Sequence, residues 1–237
     1  MSTADDADLS KLRVVRRRRS PLARLVLSFV ATGLEAALLM LAVGGASTLL
    51  AHPRAPALIG VWALAGAALA LRRPVGDQDV VEHSREPRGT LLALALVPLL
   101  TPAIAALGER FGLWLLPGGA LLRWAGVGIT ALGLAIRILA MSQLGARFSP
   151  LLAVQREHAL ETTGLYRRIR HPGYLGTLLA ALGAVMAFGS GVGFVPFSIF
   201  LGLMVWRIRR EEALLAARFG DSWTAYRARS GAFFPRP

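Results

Sequence analysis

Six apolar stretches dominate this chain and leave it few ways to fold. They run from Leu22 to Leu50, Ala55 to Leu71, Gly89 to Leu107, Ala120 to Met141, Gly173 to Phe188 and Phe194 to Trp206. A helix crosses a bilayer with roughly 20 such residues. Within hydrocarbon only helices or closed barrels satisfy every backbone polar group. Stretches this long and this apolar predict an all-α integral-membrane bundle of about six spans. The last two are short and joined by Gly189-Ser190-Gly191-Val192-Gly193, which predicts a helical hairpin over 173–206. Pro98 and Pro102 fall inside the third stretch, where neighbouring helices can re-satisfy the freed backbone groups.

Charge orients the bundle. With the N-terminus inside, 23 of the 27 basic residues fall in inner segments, and only Arg54 and Arg110 fall in outer loops. This asymmetry predicts a multi-pass protein of the inner (plasma) membrane with both termini cytoplasmic. The excess of 13 positive charges therefore suits a lipid bilayer as partner, with no call for nucleic acid. Charged residues make up only 17% of the chain, too few for an ordinary soluble domain at about 25%. Cysteine is absent, and His52, His83, His158 and His171 have no paired ligand spacing, so no protein-held metal is expected. The tetra-arginine at 16–19 precedes an apolar run too long for a signal-peptide core. Three parts are expected: a polar basic tail (1–20), four spans (21–141), and a C-terminal region (142–237) that holds the hairpin 173–206 and a further helix.

Chemistry concentrates around 164–176. Pro172 suits the first turn of a helix, so the fifth span is predicted to start near His171 with its N-terminus on the inner side. A helix start offers free N–H groups and partial positive charge to an anion. Each limb of the hairpin has about 16 residues, roughly 24 Å of helix. Its return is expected to bring Arg207, Glu211 and Glu212 to the same face as Arg170 and His171. A carboxylate there can accept from paired hydroxyls such as those of a ribose. Taken singly, each residue has a plainer reading: arginines as interfacial anchors, tyrosines as an aromatic belt, glutamates as a solvated helix start. Glu35, deep in the first span, is expected to pair with Arg123. Residues 212–229 read as an amphipathic surface helix packed on the membrane through Leu215, Phe219 and Trp223.

The pattern His158-x-Leu160, Gly164-x-Tyr166, Arg170-His171-Pro172-x-Tyr174-x-Gly176, Arg207-x-x-x-Glu211-Glu212 and Phe219-Gly220 resembles the isoprenylcysteine carboxyl methyltransferase family and its phospholipid methyltransferase relatives over roughly 142–237. The resemblance implies a small membrane methyltransferase using S-adenosyl-L-methionine and a lipophilic acceptor: an isoprenoid carboxylate, a thiol, a phenol or a lipid amine. By matching position it implies cofactor contacts at Gln155, His158, Ala159, Leu160, Tyr166, His171, Pro172, Tyr174 and Glu211. Arg207 would face the substrate as the catalytic residue, with Arg170 beside it. Glu161 and Trp223 depart from the usual valine and tyrosine. Two other classes stay open: an NADPH-dependent membrane reductase of the sterol or steroid type, and a non-enzymatic scaffold or transporter.

Overall fold

The computed structural model describes residues 20–71, 80–83, 87–145, 153–155 and 160–236. Seven helices follow in order: α1 (Pro21–Val43), α2 (Ala46–Ala51), α3 (Arg54–Leu71), α4 (Arg88–Arg110), α5 (Gly119–Leu144), α6 (Pro172–Phe188) and α7 (Phe194–Arg229). Five of them are long and apolar enough to cross a membrane. The sixth crossing, α6, has 17 residues, about 25 Å against a hydrocarbon core of about 30 Å. Large apolar side chains face outward, Leu64 and Leu121 at 74% and 82% exposure. Such surface belongs in lipid, and the chain is a multi-pass membrane protein with the expected helical bundle.

To that bundle the structure adds a small antiparallel ribbon. Strand β1 (Val80–His83) pairs with β2 (Ala153–Gln155), His83 opposite Ala153. It links the α3–α4 connection to the α5–α6 connection, which requires both to lie on one membrane side, as the six-span topology has them.

Two apolar stretches have different limits from those expected. The first does not run to Leu50, because Gly44 and Gly45 both take positive φ (99° and 128°). That conformation suits glycine and ends α1 in a left-handed cap; α2 follows as a separate turn. Ser20 begins α1, its hydroxyl accepting from the Ala23 N–H at 3.2 Å. The last stretch does not stop at Trp206. Helix α7 carries on for 36 residues and bends at Gly220, whose φ of 49° and ψ of −119° are non-helical.

The firmest packing joins α5 to α6. These antiparallel helices meet through small residues seven apart, Gly126 and Gly133 against Gly176 and Gly183. A Cβ on Gly126 would lie 2.4 Å from the Ala187 nitrogen, one on Gly133 2.5 Å from the Gly176 oxygen, and one on Gly176 2.4 Å from the Gly133 oxygen. Backbone therefore lies on backbone, the geometry that small residues permit between membrane helices. Thr130 is buried in the seam, donating to Gly126 O (3.0 Å) and lying 3.2 Å from Ala180 O.

The α6–α7 turn is equally tied down. Gly189 caps α6 at φ 58°. Ser190 donates to Leu113 O (2.8 Å), and the Gly191 N–H donates to Trp114 O (2.7 Å). A core of Leu39, Ala55, Leu58, Ala105, Val185 and Phe188 fills the bundle between.

The expected Glu35–Arg123 pair does not form. Arg123 Nε instead lies 2.9 Å from Glu109 Oε1, which also takes Arg54 Nη2 at 2.5 Å. Glu109 sits at the end of α4 beside the start of α5, a nearer partner than one on α1; Glu35 is half-buried on α1.

The seam sets a stability test. Gly176→Ala puts a methyl against rigid backbone and should cost about 1–3 kcal/mol or more. Gly128→Ala on the same α5, with nothing within 4 Å of the added Cβ, should be neutral or stabilise by up to ~1 kcal/mol. Thermal unfolding of the two variants in one detergent checks the order.

Candidate active site

The site is built where α6 starts. Pro172 occupies the first helical position, and no side chain caps the helix. The segment before it is held by the chain's C-terminal strap: Arg170 N–H donates to Gly231 O (2.8 Å), His171 N–H to Ala232 O (3.1 Å), and Gly231 N–H back to Arg168 O (3.0 Å). The bend at Gly220 makes this possible by turning the end of α7 back. Tyr226 then donates to Tyr166 O at 2.6 Å, and Ser230 Oγ to Tyr226 O at 2.6 Å. Trp223 is buried with its ring 6.0 Å from the Arg170 guanidinium. Residues 212–229 are thus a packed wall of the site, not a helix resting on lipid through Trp223.

The hairpin brings Glu211 and Glu212 beside the α6 start, as its length requires. The two carboxylates then divide. Glu212 Oε1 receives Arg170 Nε at 2.8 Å and lies 3.1 Å from His171 Nε2. Arg170, expected at the acceptor, is buried and also donates through Nη1 to the carbonyls of Ser230 and Arg227. Its hydrogen-bonding is directed into the protein. Glu211 Oε2 accepts from the Tyr174 hydroxyl at 2.7 Å, and that hydroxyl accepts from Arg207 Nε at 3.0 Å. Glu211 Oε1 is 4.0 Å from His171 Nδ1. The Glu211 side chain is 33% exposed, whereas that of His171 is 2% exposed. One carboxylate locks the structure, and its neighbour faces outward with capacity left.

Glu212 lies beyond the apolar part of α7, which ends at Trp206. Burial opposes its ionisation, but hydrogen bonds from His171 and Arg170 and the Arg170 charge outweigh that and hold its carboxyl at about 2, below its ordinary 4.5. Burial pushes the Tyr166 hydroxyl up, and the Glu211 charge adds to the shift, so Tyr166 stays a neutral hydroxyl.

Other expected residues are placed as follows. Tyr166 is buried in a 3-10 turn (Gly164–Arg167), its hydroxyl donating to Ala140 O at 3.4 Å. Leu160 is half-buried. Gln155 lies in β2; His158 and Ala159 lie outside the described residues. Glu161 accepts from the Thr163 N–H at 2.9 Å, closing its own turn.

Two contributors were not singled out from sequence. The strap 230–232 is one, carrying no motif because its contacts are through backbone. The other is Arg137 on α5, whose Nη1 donates to Thr177 Oγ1 at 2.6 Å. It lies within electrostatic reach of the Arg207 charge and of the Tyr174 and Tyr166 hydroxyls. An arginine at membrane depth is itself a signal of function.

Residues 126–217 match the isoprenylcysteine carboxyl methyltransferase (ICMT) family, bearing out the resemblance seen in the motifs. Protein-S-isoprenylcysteine O-methyltransferase of Schizosaccharomyces pombe is 41% identical over 104 residues, 43% of this chain and 44% of that protein. Protein-S-isoprenylcysteine O-methyltransferase A of Arabidopsis thaliana is 30% identical over 142 residues, 57% and 66% of the two chains. Delta(14)-sterol reductase of Methylotuvimicrobium alcaliphilum is 34% identical over 70 residues, only 16% of its length. The chain spans about half the length of most curated relatives it matches. The structure of the eukaryotic intramembrane Ras methyltransferase ICMT superposes with a TM-score of 0.54 at 18% identity, covering 91% of this chain and 75% of that one. The two share a fold.

The low Glu212 value has a consequence for acid stability. Because the folded value is depressed, the stabilisation is complete above about pH 4.5 and is lost as pH falls toward about 2. Glu212→Gln strands the buried Arg170 and should cost about 3–5 kcal/mol near neutral pH. The gap in unfolding midpoint between wild type and Glu212→Gln should shrink as pH is lowered through that window, and a pH series of thermal melts reads it.

Proposed function

We propose that this chain is an integral-membrane methyltransferase of the ICMT kind, transferring a methyl group from S-adenosyl-L-methionine to a lipophilic acceptor that bears a carboxylate. The observation that carries the reading is the chain Arg207–Tyr174–Glu211 at the start of α6, flanked by Arg137.

The residues present suit an adenosyl donor. Glu211 is partly exposed beside the buried His171 ring, and a carboxylate so placed can accept from the two hydroxyls of a ribose. On this reading His171, Pro172 and Tyr174 contact the donor, and Tyr166, Leu160, Gln155, His158 and Ala159 complete the set that the family pattern suggests. Bound there, the donor supplies an electrophilic methyl on a sulfonium sulfur, already activated for displacement.

This chain's task is then orientation and exclusion of water. Alignment of two reactants contributes about 7–11 kcal/mol in favourable cases. A carboxylate nucleophile carries its own negative charge, so no general base is needed. Arg207 and Arg137 both border Tyr174. Two guanidinium groups near one hydroxyl repel each other, and an acceptor anion would relieve that repulsion. The same pair disfavours a lipid ammonium. Arg170 and Glu212 act as holders of the His171 segment and not as contacts of the acceptor. The relatives' names specify O-methylation of an S-isoprenylcysteine, and a prenylated acid of that class fits the two arginines.

Donor and acceptor roles separate by variant. Glu211→Gln should weaken binding of S-adenosylhomocysteine about tenfold or more, with little change in unfolding midpoint. Arg207→Gln should keep that binding and lower turnover of an S-prenylated N-acylcysteine roughly 100-fold. The carboxamide of the same compound should not be methylated. Calorimetric titration and transfer of labelled methyl measure these. Stabilisation by NADPH in place of S-adenosylhomocysteine would favour the reductase reading, and stabilisation by neither would favour a scaffold.

A further inference from the structure

The membrane end opposite the active site holds a second cluster of charge. The strong inward bias of basic residues leaves this end few arginines, namely Arg54, Arg110 and Arg123. The fold gathers all three around one place. Arg54 and Arg123 both bind Glu109 through Oε1, at 2.5 and 2.9 Å. Arg110 follows Glu109 directly on α4. Arg54 and Arg123 thus share one carboxylate, and with Arg110 the cluster carries an excess of positive charge.

Beside them lies a cavity of about 160 Å³, bordered by Val43, Thr48, His52, Glu109, Arg110 and Phe188. A single water needs only ~10–15 Å³ of such volume, so the space admits a tetrahedral oxyanion. Arg110 is exposed, and its hydrogen bond to Leu41 O is long at 3.5 Å. His52 donates through Nδ1 to Thr48 O at 2.7 Å, which fixes its ring at the cavity edge. Arg54 Nε is buried without an acceptor. The cavity adjoins lipid-facing surface: Leu41 and Leu50 are 69% and 70% exposed.

A lone arginine at a span end is ordinarily an anchor reaching for headgroups. Here Arg110 and Glu109 border one cavity, and Glu109, which neutralises a single charge, holds both Arg54 and Arg123 beside it. From this arrangement we propose that the cavity binds the phosphate of a phospholipid headgroup, with Arg110 as the principal contact and the acyl chains lying along Leu41 and Leu50. The site is remote from the methyl-transfer centre and does not rest on that assignment.

The full chain, purified in a neutral detergent, tests this. Phosphatidylglycerol added to mixed micelles should raise the unfolding midpoint, and half-maximal stabilisation should need at least tenfold more lipid in Arg110→Gln. Arg110→Lys should recover part of the response, and S-adenosylhomocysteine binding should be unchanged in both. An equal lipid response in wild type and Arg110→Gln overturns the proposal. Equal stabilisation by inorganic phosphate at matched concentration would make it a free-anion site and overturn the lipid assignment. If Arg110→Gln fails to fold, Thr48→Val is read in its place against the same two outcomes.

Discussion

Backbone contact between α5 and α6 is the constraint on which the rest of the molecule depends. Four glycines let the two helices approach until a single methyl on either would strike the other's backbone. That closeness fixes the height of α6 relative to α5. It puts Arg137 beside Thr177 and Ala140 under the Tyr166 hydroxyl. In lipid there is little hydrophobic force between apolar helices, so close packing and buried hydrogen bonds such as those of Thr130 carry the association.

On this frame the site is organised by dividing two adjacent carboxylates. Consecutive residues on a helix point about 100° apart. Glu212 consequently turns into the protein toward Arg170 and His171, while Glu211 faces Tyr174 and the opening. The inner carboxylate keeps its charge through strong donors, and that charge compensates a buried guanidinium that would otherwise be costly. The outer one is free of that duty. The same economy recurs at the far end, where Glu109 holds two arginines in one geometry.

The described C-terminal strap shows how a site can be closed without any recognisable residue. Gly231 and Ala232 act through their carbonyls, and Gly220 lets α7 bend. Trp223 looked lipid-facing because it falls four residues after Phe219 on an unbroken helix. The bend rotates everything beyond it, and Trp223 goes inside.

Much was determined by the linear order of residues. Apolar length requires helices, Pro172 starts α6, and the hairpin length must return Glu211 to His171. These follow from properties that repeat along one element or from the fixed rise of a helix. What tertiary structure alone decided concerns partners between elements. Arg123 took Glu109 and not Glu35; Glu212 and not Glu211 took Arg170; Arg137 came to border the site. A charged side chain pairs with whatever opposite charge the packing brings near, and packing depends on glycine contacts and bends whose three-dimensional effect no single stretch of sequence contains.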